Sequence, residues 1–148
     1  MRASKVMGDN KQYEDLFYLG IKAIIRNTDN KILVLKCQKS DRSYWDLPGG
    51  RIITNEMPEV ALRREVAEET GLVISGSPLT HLGIFFSNIR IAIDNKKSAG
   101  LLYSVYNVCA VSKSTITLSA EHTEFAWVTP QHARSILDAC LEPCFASF

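Results

Sequence analysis

The chain has 148 residues, of which 46% are hydrophobic and 22% charged, a composition typical of one globular domain that excludes disordered and fibrous proteins. Its 17 basic and 16 acidic residues give a net charge of +1, so net charge predicts no non-specific binding to nucleic acid or to an anionic membrane. A polyanionic ligand must instead be held by particular residues.

The N-terminus carries no targeting signal that the sequence reveals. Residues 1–15 mix acidic and basic side chains without an apolar run, so we expect an N-terminal tail rather than a signal peptide. No stretch is apolar enough to predict a membrane span. The four cysteines show no metal-binding spacing, and the apolar surroundings of Cys37, Cys109 and Cys140 predict buried, reduced thiols. We therefore expect a cytoplasmic protein.

The first half of the chain alternates strand and turn signals before a helix. Residues 16–26 are apolar on both alternating faces, which predicts a central strand covered on two sides. Residues 27–30 form a polar turn, and 31–38 pair back as a hairpin. Residues 58–70 lack internal glycine and proline, begin with proline and precede Gly71, so they predict a helix.

The second half adds further strands and a last helix. Residues 81–87 and 101–112 are rich in β-branched and aromatic side chains, with a polar turn at 94–97 between them, and 124–128 predict a final strand. Residues 130–141 predict a second helix that stops before Pro143. Strands with one helix in mid-chain and one at the end indicate an α/β fold, a mixed β-sheet sandwiched between α-helices.

One segment carries a specific motif. Residues 50–72 read GRIITNEMPEVALRREVAEETGL, with Gly50, five residues, Glu56, seven residues, and then REVAEETGL. This pattern resembles the Nudix box of the Nudix hydrolases without a departure. Average residue usage gives it a chance probability on the order of 10⁻⁸ in a chain of this length. Flanking segments 45–50 and 121–128 resemble the family too, so we expect residues 16–148 to form a single Nudix domain.

The glutamates of the box also predict a metal site on chemical grounds. On a helix, Glu65, Glu68 and Glu69 project within an arc of about 100°, so their carboxylates repel one another. No lysine or arginine follows one turn later to relieve that repulsion, and a hard cation would do so. Oxygen-only ligands suit Mg²⁺, which Mn²⁺ can replace, better than zinc.

The resemblance implies roles for the residues around these glutamates. It implies that the Gly49 carbonyl completes the metal shell and that Gly50 lets the backbone pass close to the helix. The arginine that matches Arg64 orients a ligand glutamate in the family, and the residue that matches Glu56 supports the loop and a metal-bound water. Together with the three box glutamates, these residues form the expected site.

The resemblance leaves open which carboxylate removes the proton from the attacking water. Glu68 is a candidate within the box, and some family members use a carboxylate from a later loop, for which Glu121 is the first candidate here. Glu124 lies closer to the last strand and is expected to pair with a surface base. Phosphoanhydride hydrolysis follows when metal ions neutralise a pyrophosphate and lower the pKa of a bound water that attacks in line.

The resemblance implies a metal-dependent hydrolase of a phosphoanhydride bond in a nucleoside diphosphate-linked compound. Family members that prefer ADP-ribose carry a proline after the box, and diadenosine polyphosphate members a tyrosine. The chain has no proline between Leu79 and Thr129 and no tyrosine between Leu72 and Leu102. A nucleoside triphosphate or modified nucleotide is favoured by elimination.

The alternative is a non-catalytic Nudix-fold module that binds a nucleotide or a protein, against which the three intact glutamates argue. We expect a small-molecule nucleotide as partner, with no membrane and no nucleic acid, and the oligomeric state stays open with a homodimer among the alternatives. Aromatic residues at strand spacing are expected in the core: Trp45, Phe85, Phe86, Tyr103 and Tyr106. The histidines are expected to be structural or exposed: His81, His122 and His132.

Overall fold

The computed structural model describes residues 16–111, 115–146 and 148. The predicted tail 1–15 and the end of the predicted strand 101–112 lie outside the described residues. Within the described ranges none of the helices combines the length and the apolar character needed to cross a membrane. The elements in chain order are β1 (Phe17–Asn27), β2 (Ile32–Lys39), β3 (Arg42–Asp46), α1 (Pro58–Thr70), β4 (Leu79–Ala92), β5 (Ser98–Val111), β6 (His122–Val128), α2 (Pro130–Ile136) and a 3₁₀ helix (Ala139–Phe145).

The described strands form a mixed sheet in two parts. In one part β1 is parallel to β5, which is antiparallel to β4. In the other part β2 is antiparallel to both β3 and β6. The two parts join at the β1–β2 hairpin, where Arg26 lies opposite Ile32. The predicted mixed sheet is confirmed.

Helices cover both faces of the sheet, as the sequence predicts. Ile21 and Ile25 of β1 point to one face, where Leu62 and Val66 of α1 pack on them. Ile24 points to the other face, which α2 and the 3₁₀ helix cover. Because both faces of β1 are buried, most of its central side chains are apolar in both alternating positions. The sandwiched sheet is therefore a consequence of the apolar pattern in β1.

The first helix has the predicted bounds, Pro58–Thr70. Pro58 lies in the first turn, where its missing N–H is not needed. Gly71 ends the helix in the left-handed conformation at φ 72°, and its N–H donates to the Ala67 carbonyl. Local signals alone fix both ends, so the box glutamates have the helical spacing that the sequence predicts.

The second helix is shorter than the predicted 130–141. It ends at Ile136, and Leu137 is extended. Asp138 then accepts hydrogen bonds from the Ser87 hydroxyl at 2.7 Å and from the Cys140 N–H at 3.0 Å. This carboxylate gives the chain an alternative to continuing the helix. Pro143 does not stop a helix but lies within the 3₁₀ helix.

Two burial expectations and one strand length are wrong. Cys109 is exposed and Cys37 and Cys140 are half-buried, whereas Cys144 is the buried thiol, although all four described cysteines are free as expected. Phe86 is 68% exposed rather than in the core, and its ring meets the half-exposed Phe17 edge-on. β4 runs past the predicted 81–87, because register shifts after His81 and Ser87 allow the pairing to continue.

Candidate active site

Two backbone hydrogen bonds hold the loop from Leu47 to Arg51 against the central strand β1. The Ile21 N–H donates to the Gly50 carbonyl at 2.8 Å, and the Ala23 N–H donates to the Pro48 carbonyl at 2.8 Å. Between them, Gly49 has φ +144°, and a Cβ at Gly49 would lie 2.0 Å from the Ile21 carbonyl oxygen. Only glycine allows the loop to lie this close to β1.

Glu69 is the buried carboxyl of the site. It is 8% exposed, and its Oε2 accepts a hydrogen bond from the Gly49 N–H at 2.8 Å. Burial raises the pKa of Glu69 to about 7, although the Gly49 N–H and the charge of Lys22 act in the opposite direction. The nearby carboxylates of Glu65 and Asp46 raise it further. A bound cation would favour the ionised form of this carboxyl.

Arg64 contacts three further acidic residues of the box. Its guanidinium donates two bonds to Glu56, at 2.8 and 3.0 Å, one to Glu65 at 2.8 Å and one to Glu68 at 3.3 Å. The sequence places no base one turn after the glutamates, yet Arg64 lies one turn before Glu68 and pairs with it. The expectation that the repulsion between the glutamates is unrelieved is therefore wrong, because it considered only the positions after them in the chain.

Glu56 and Gly50 shape the surroundings of these ion pairs. Glu56 accepts a further bond from the Ile53 N–H at 3.1 Å, and the bonds from Arg64 and from this N–H lower its pKa. A Cβ at Gly50 would lie 2.4 Å from Cδ of Glu65, so this glycine leaves room for the Glu65 carboxylate. Both residues lie where they can support the loop and the helix edge.

The donors at this edge fit a hard divalent cation. Glu65 lies against Gly50, Glu69 is bonded to Gly49, and every acidic side chain here offers only oxygen. Among the residues that the structure describes, no three His, Cys, Asp or Glu side chains already form a metal cage, and the side chain of Glu68 is 60% exposed. A cation at this edge would therefore draw the carboxylates together.

A cleft of about 460 Å³ opens beside Glu69. It is lined by Gly49, Gly50, Arg51, Glu69 and Glu121, among others. The structure therefore brings Glu121 to the same cleft as the buried glutamate, although 52 positions separate them in the chain. Glu124 instead pairs with Lys36 at 3.2 Å on the surface, as expected.

Three cleft residues were not singled out from the sequence. Lys22 and Asp46 form a buried ion pair at 2.7 Å, and His122 Nε2 lies 3.6 Å from Glu69 Oε1. Burial lowers the pKa of His122, although Glu121 acts against this effect. A lysine within an apolar strand was an available signal for Lys22. His122 was expected to be structural or exposed, and its side chain is buried at the wall of the cleft.

A second pocket of about 400 Å³ adjoins the cleft and shares Tyr44 and Asp46 with it. Its other walls include Trp45, Tyr103 and, at the end of α2, Asp138. Tyr103 is buried as expected, but Trp45 is only half-buried and faces this pocket. The site thus combines a polar cleft with an aromatic pocket.

Comparisons with known proteins agree with this architecture. A NUDIX domain model matches residues 17–146. The chain is 29% identical over 115 residues to a MutT-like protein from Streptomyces ambofaciens, which covers 78% of this chain and 66% of that protein. It is also 33% identical over 90 residues to nucleoside triphosphatase NudI from Escherichia fergusonii. That match covers 59% of this chain and 62% of that protein.

Among solved structures, the MutT protein from Methanosarcina mazei Go1 matches with a TM-score of 0.75 and 25% identity over 90% of this chain and 94% of that one. The sequence matches span less than two thirds of the two curated relatives. The domain match covers nearly all the described residues, and the Gly49–Gly50 loop and the glutamates of α1 lie within it. The chain belongs to the Nudix family.

Proposed function

We propose that this protein hydrolyses a phosphoanhydride bond in a nucleoside diphosphate-linked compound, with a nucleoside triphosphate or a modified nucleotide as the favoured substrate. The observation that carries this proposal is the buried Glu69 carboxyl, which the Gly49 N–H holds at 2.8 Å beside the cleft. Burying a carboxyl without a full counter-charge is unfavourable, and a divalent cation would compensate for that cost. Hydrolases of the Nudix family typically need such a cation.

Mg²⁺, or Mn²⁺ in its place, is the cofactor that this donor set favours. Glu65, Glu68 and Glu69 would hold it together with the Gly49 carbonyl, since the carbonyls on either side of Gly49 already accept bonds from β1. When bound, the cation neutralises phosphate charge and provides a water of lowered pKa. Arg64 fixes the orientation of Glu65 and Glu68 through its hydrogen bonds to both.

Two carboxylates can take the proton of the attacking water. Glu68 is largely exposed at the helix edge, and Glu121 lines the cleft that contains Glu69. The pH–rate profiles of Glu68→Gln and Glu121→Gln would distinguish the two candidates. The variant that lacks the general base should lose the acidic limb of its kcat profile. We assign Glu121 the first test, since it lies at the cleft without a role in an ion pair among the described contacts.

The pocket next to the cleft supports a nucleotide rather than a simple polyphosphate. Trp45 and Tyr103 offer aromatic surface for a planar base, and Asp138 offers a carboxylate at the pocket wall. In the cleft itself, Lys39 and Arg51 supply positive charge for phosphates. The similarity to a protein named nucleoside triphosphatase also favours a triphosphate.

The test is a screen of nucleoside triphosphates, oxidised nucleotides, dinucleoside polyphosphates and nucleotide sugars for release of phosphate or pyrophosphate. We expect turnover with Mg²⁺ or Mn²⁺, none in excess EDTA, and an alkaline optimum. Full turnover in EDTA would contradict the proposal. Nucleotide binding without turnover at any metal concentration would instead support the binding-module alternative.

A further inference from the structure

Lys22 is a charged residue in the most buried part of β1. It is 6% exposed, and its neighbours Ile21 and Ala23 are fully buried. An ammonium group in such a place is unfavourable unless it is paired. Burial by itself lowers the pKa of Lys22, but Asp46, Tyr103 and Glu69 together more than offset this effect and the pKa stands above its ordinary value. The side chain is therefore charged inside the protein.

The hydrogen-bond partners of Lys22 lie at the end of β3 and at the start of the glycine loop. Its Nζ donates to Asp46 Oδ2 at 2.7 Å and to the Leu47 carbonyl at 3.4 Å. Asp46 Oδ1 in turn accepts a bond from the Leu47 N–H at 2.8 Å. The two members of the ion pair thus bind both backbone polar groups of Leu47, Asp46 its N–H and Lys22 its carbonyl.

Lys22 also completes a set of three consecutive anchors on β1. Ile21 and Ala23 bind the Gly50 and Pro48 carbonyls through their backbone N–H groups, and Lys22 binds the preceding part of the loop through its side chain. These anchors determine where Gly49 lies. Gly49 then donates its N–H to Glu69, so the position of Lys22 is transmitted to the buried glutamate.

Stability alone does not account for this ion pair. Replacing a buried ion pair by apolar side chains of similar volume is often neutral or stabilising, and an apolar residue would match the rest of β1. We propose that Lys22 is a positioning residue that acts through Asp46 to hold the Leu47–Gly50 loop against Glu69 in the geometry that binds the cation. This inference rests on the proposed function of the site.

A direct contact of Lys22 with substrate phosphate is the competing explanation. Lys22 does line the cleft, but its ammonium already has two oxygen partners and lies 5.3 Å from the centroid of the Tyr103 ring. A phosphate-binding lysine would change substrate affinity, whereas a positioning lysine would change cation affinity and the rate of the chemical step. The two explanations therefore differ in what they predict.

The test compares two double variants that each remove one ion pair without leaving an unpaired charge. Lys22→Met with Asp46→Asn removes the buried pair. The matched control, Lys36→Met with Glu124→Gln, removes the exposed pair between β2 and β6. For both proteins we would measure Mn²⁺ affinity by electron paramagnetic resonance, kcat and KM, and hydrogen exchange of the Gly49 amide in EDTA.

We expect the buried-pair variant to bind Mn²⁺ at least tenfold more weakly and to lose at least 30-fold in kcat, with KM within threefold of wild type. Its Gly49 amide should exchange at least tenfold faster, while the control stays within twofold on every measurement. If the buried-pair variant does not fold, Lys22→Met alone carries the test, with changes in the same direction, because the more exposed Asp46 carboxylate keeps its bond from the Leu47 N–H.

Wild-type Mn²⁺ affinity, kcat and Gly49 exchange in the folded variant would overturn the inference. So would a KM raised more than tenfold with unchanged Mn²⁺ affinity, because that result assigns Lys22 to the phosphate. A wild-type protein that neither binds Mn²⁺ nor hydrolyses any nucleotide would refute the proposed function instead. The Gly49 exchange, measured without metal, separates the two failures.

Discussion

Glu68 and Glu69 are adjacent residues of one helix, yet their surroundings are opposite. The Glu68 side chain is 60% exposed and pairs with Arg64 at 3.3 Å. The Glu69 side chain is 10% exposed, accepts the Gly49 N–H, and burial raises its pKa to about 7. The comparison shows that tertiary contacts, and not residue type, give each carboxyl its electrostatic character.

The largest expected effect is a loss of kcat that is the same for both glutamates despite their different burial. If both carboxylates hold the cation, Glu68→Gln and Glu69→Gln should each lower kcat by a factor of about 10³ while the fold persists, because charge stabilisation in the transition state is lost. Steady-state kinetics with Mg²⁺ measure this loss, with Glu124→Gln on the surface as a control that stays within twofold. A loss below tenfold for both glutamates would mean that the ligands are misassigned.

The next effect separates the two glutamates, in the absence of metal. The pKa of Glu69 is raised from 4.5 to about 7 on folding, so the folded state binds the proton more tightly. The associated stability is present below pH 4.5 and is lost as pH rises through 7, which amounts to about 3 kcal/mol. Glu69→Gln should therefore be more stable than wild type at pH 8 in EDTA by up to about that amount.

Urea unfolding at pH 5 and pH 8 in EDTA measures this difference, and at pH 5 the advantage of Glu69→Gln should be much smaller. Saturating Mg²⁺ should remove most of that advantage at pH 8, because a ligand that binds the folded state at one hundred times its Kd stabilises it by about 2.7 kcal/mol. A Glu69→Gln variant that is less stable than wild type in EDTA at pH 8 would show that the buried carboxyl is fully compensated without metal.

A smaller effect concerns Glu65 on the Arg64 side. In Gly50→Ala the new methyl group would lie 2.4 Å from Cδ of Glu65, and the end of that flexible side chain must move. We expect kcat to fall about tenfold, or about 1.4 kcal/mol in the activation barrier, with a melting temperature close to that of wild type. Unchanged kcat and Mn²⁺ affinity would show that the site does not depend on this position of Glu65.

The smallest effect is the stability of Glu68→Gln without metal. The substitution removes an exposed ion pair with Arg64, four residues earlier on the helix, and such pairs contribute about 0.3–0.5 kcal/mol. Loss of repulsion from the other glutamates acts in the opposite direction. We therefore expect a change within about 0.5 kcal/mol by urea unfolding in EDTA, and a larger loss would identify Glu68 as a structural partner of Arg64.

Some parts of the molecule required only local reasoning. α1 has the bounds Pro58–Thr70 predicted from a proline, a glycine and helix-forming residues between them, because these signals act within one or two turns. The predicted end of the second helix was wrong, because Asp138 accepts a hydrogen bond from Ser87 of β4 and no local signal predicts that contact. The burial predicted for Phe86 was also wrong, because strand spacing alone does not tell which strand positions a helix covers.

The sequence by itself determined the family, the helix that presents the box glutamates and an oxygen-rich donor set. Helical spacing and residue chemistry are local properties, so they could be read directly. Only the tertiary structure decided that Glu69 is buried and that Lys22 and His122 line the cleft beside it. Gly49 reaches Glu69 across 20 positions and Lys22 reaches Asp46 across 24, and burial and charge pairing across such separations follow from how the sheet and helices pack.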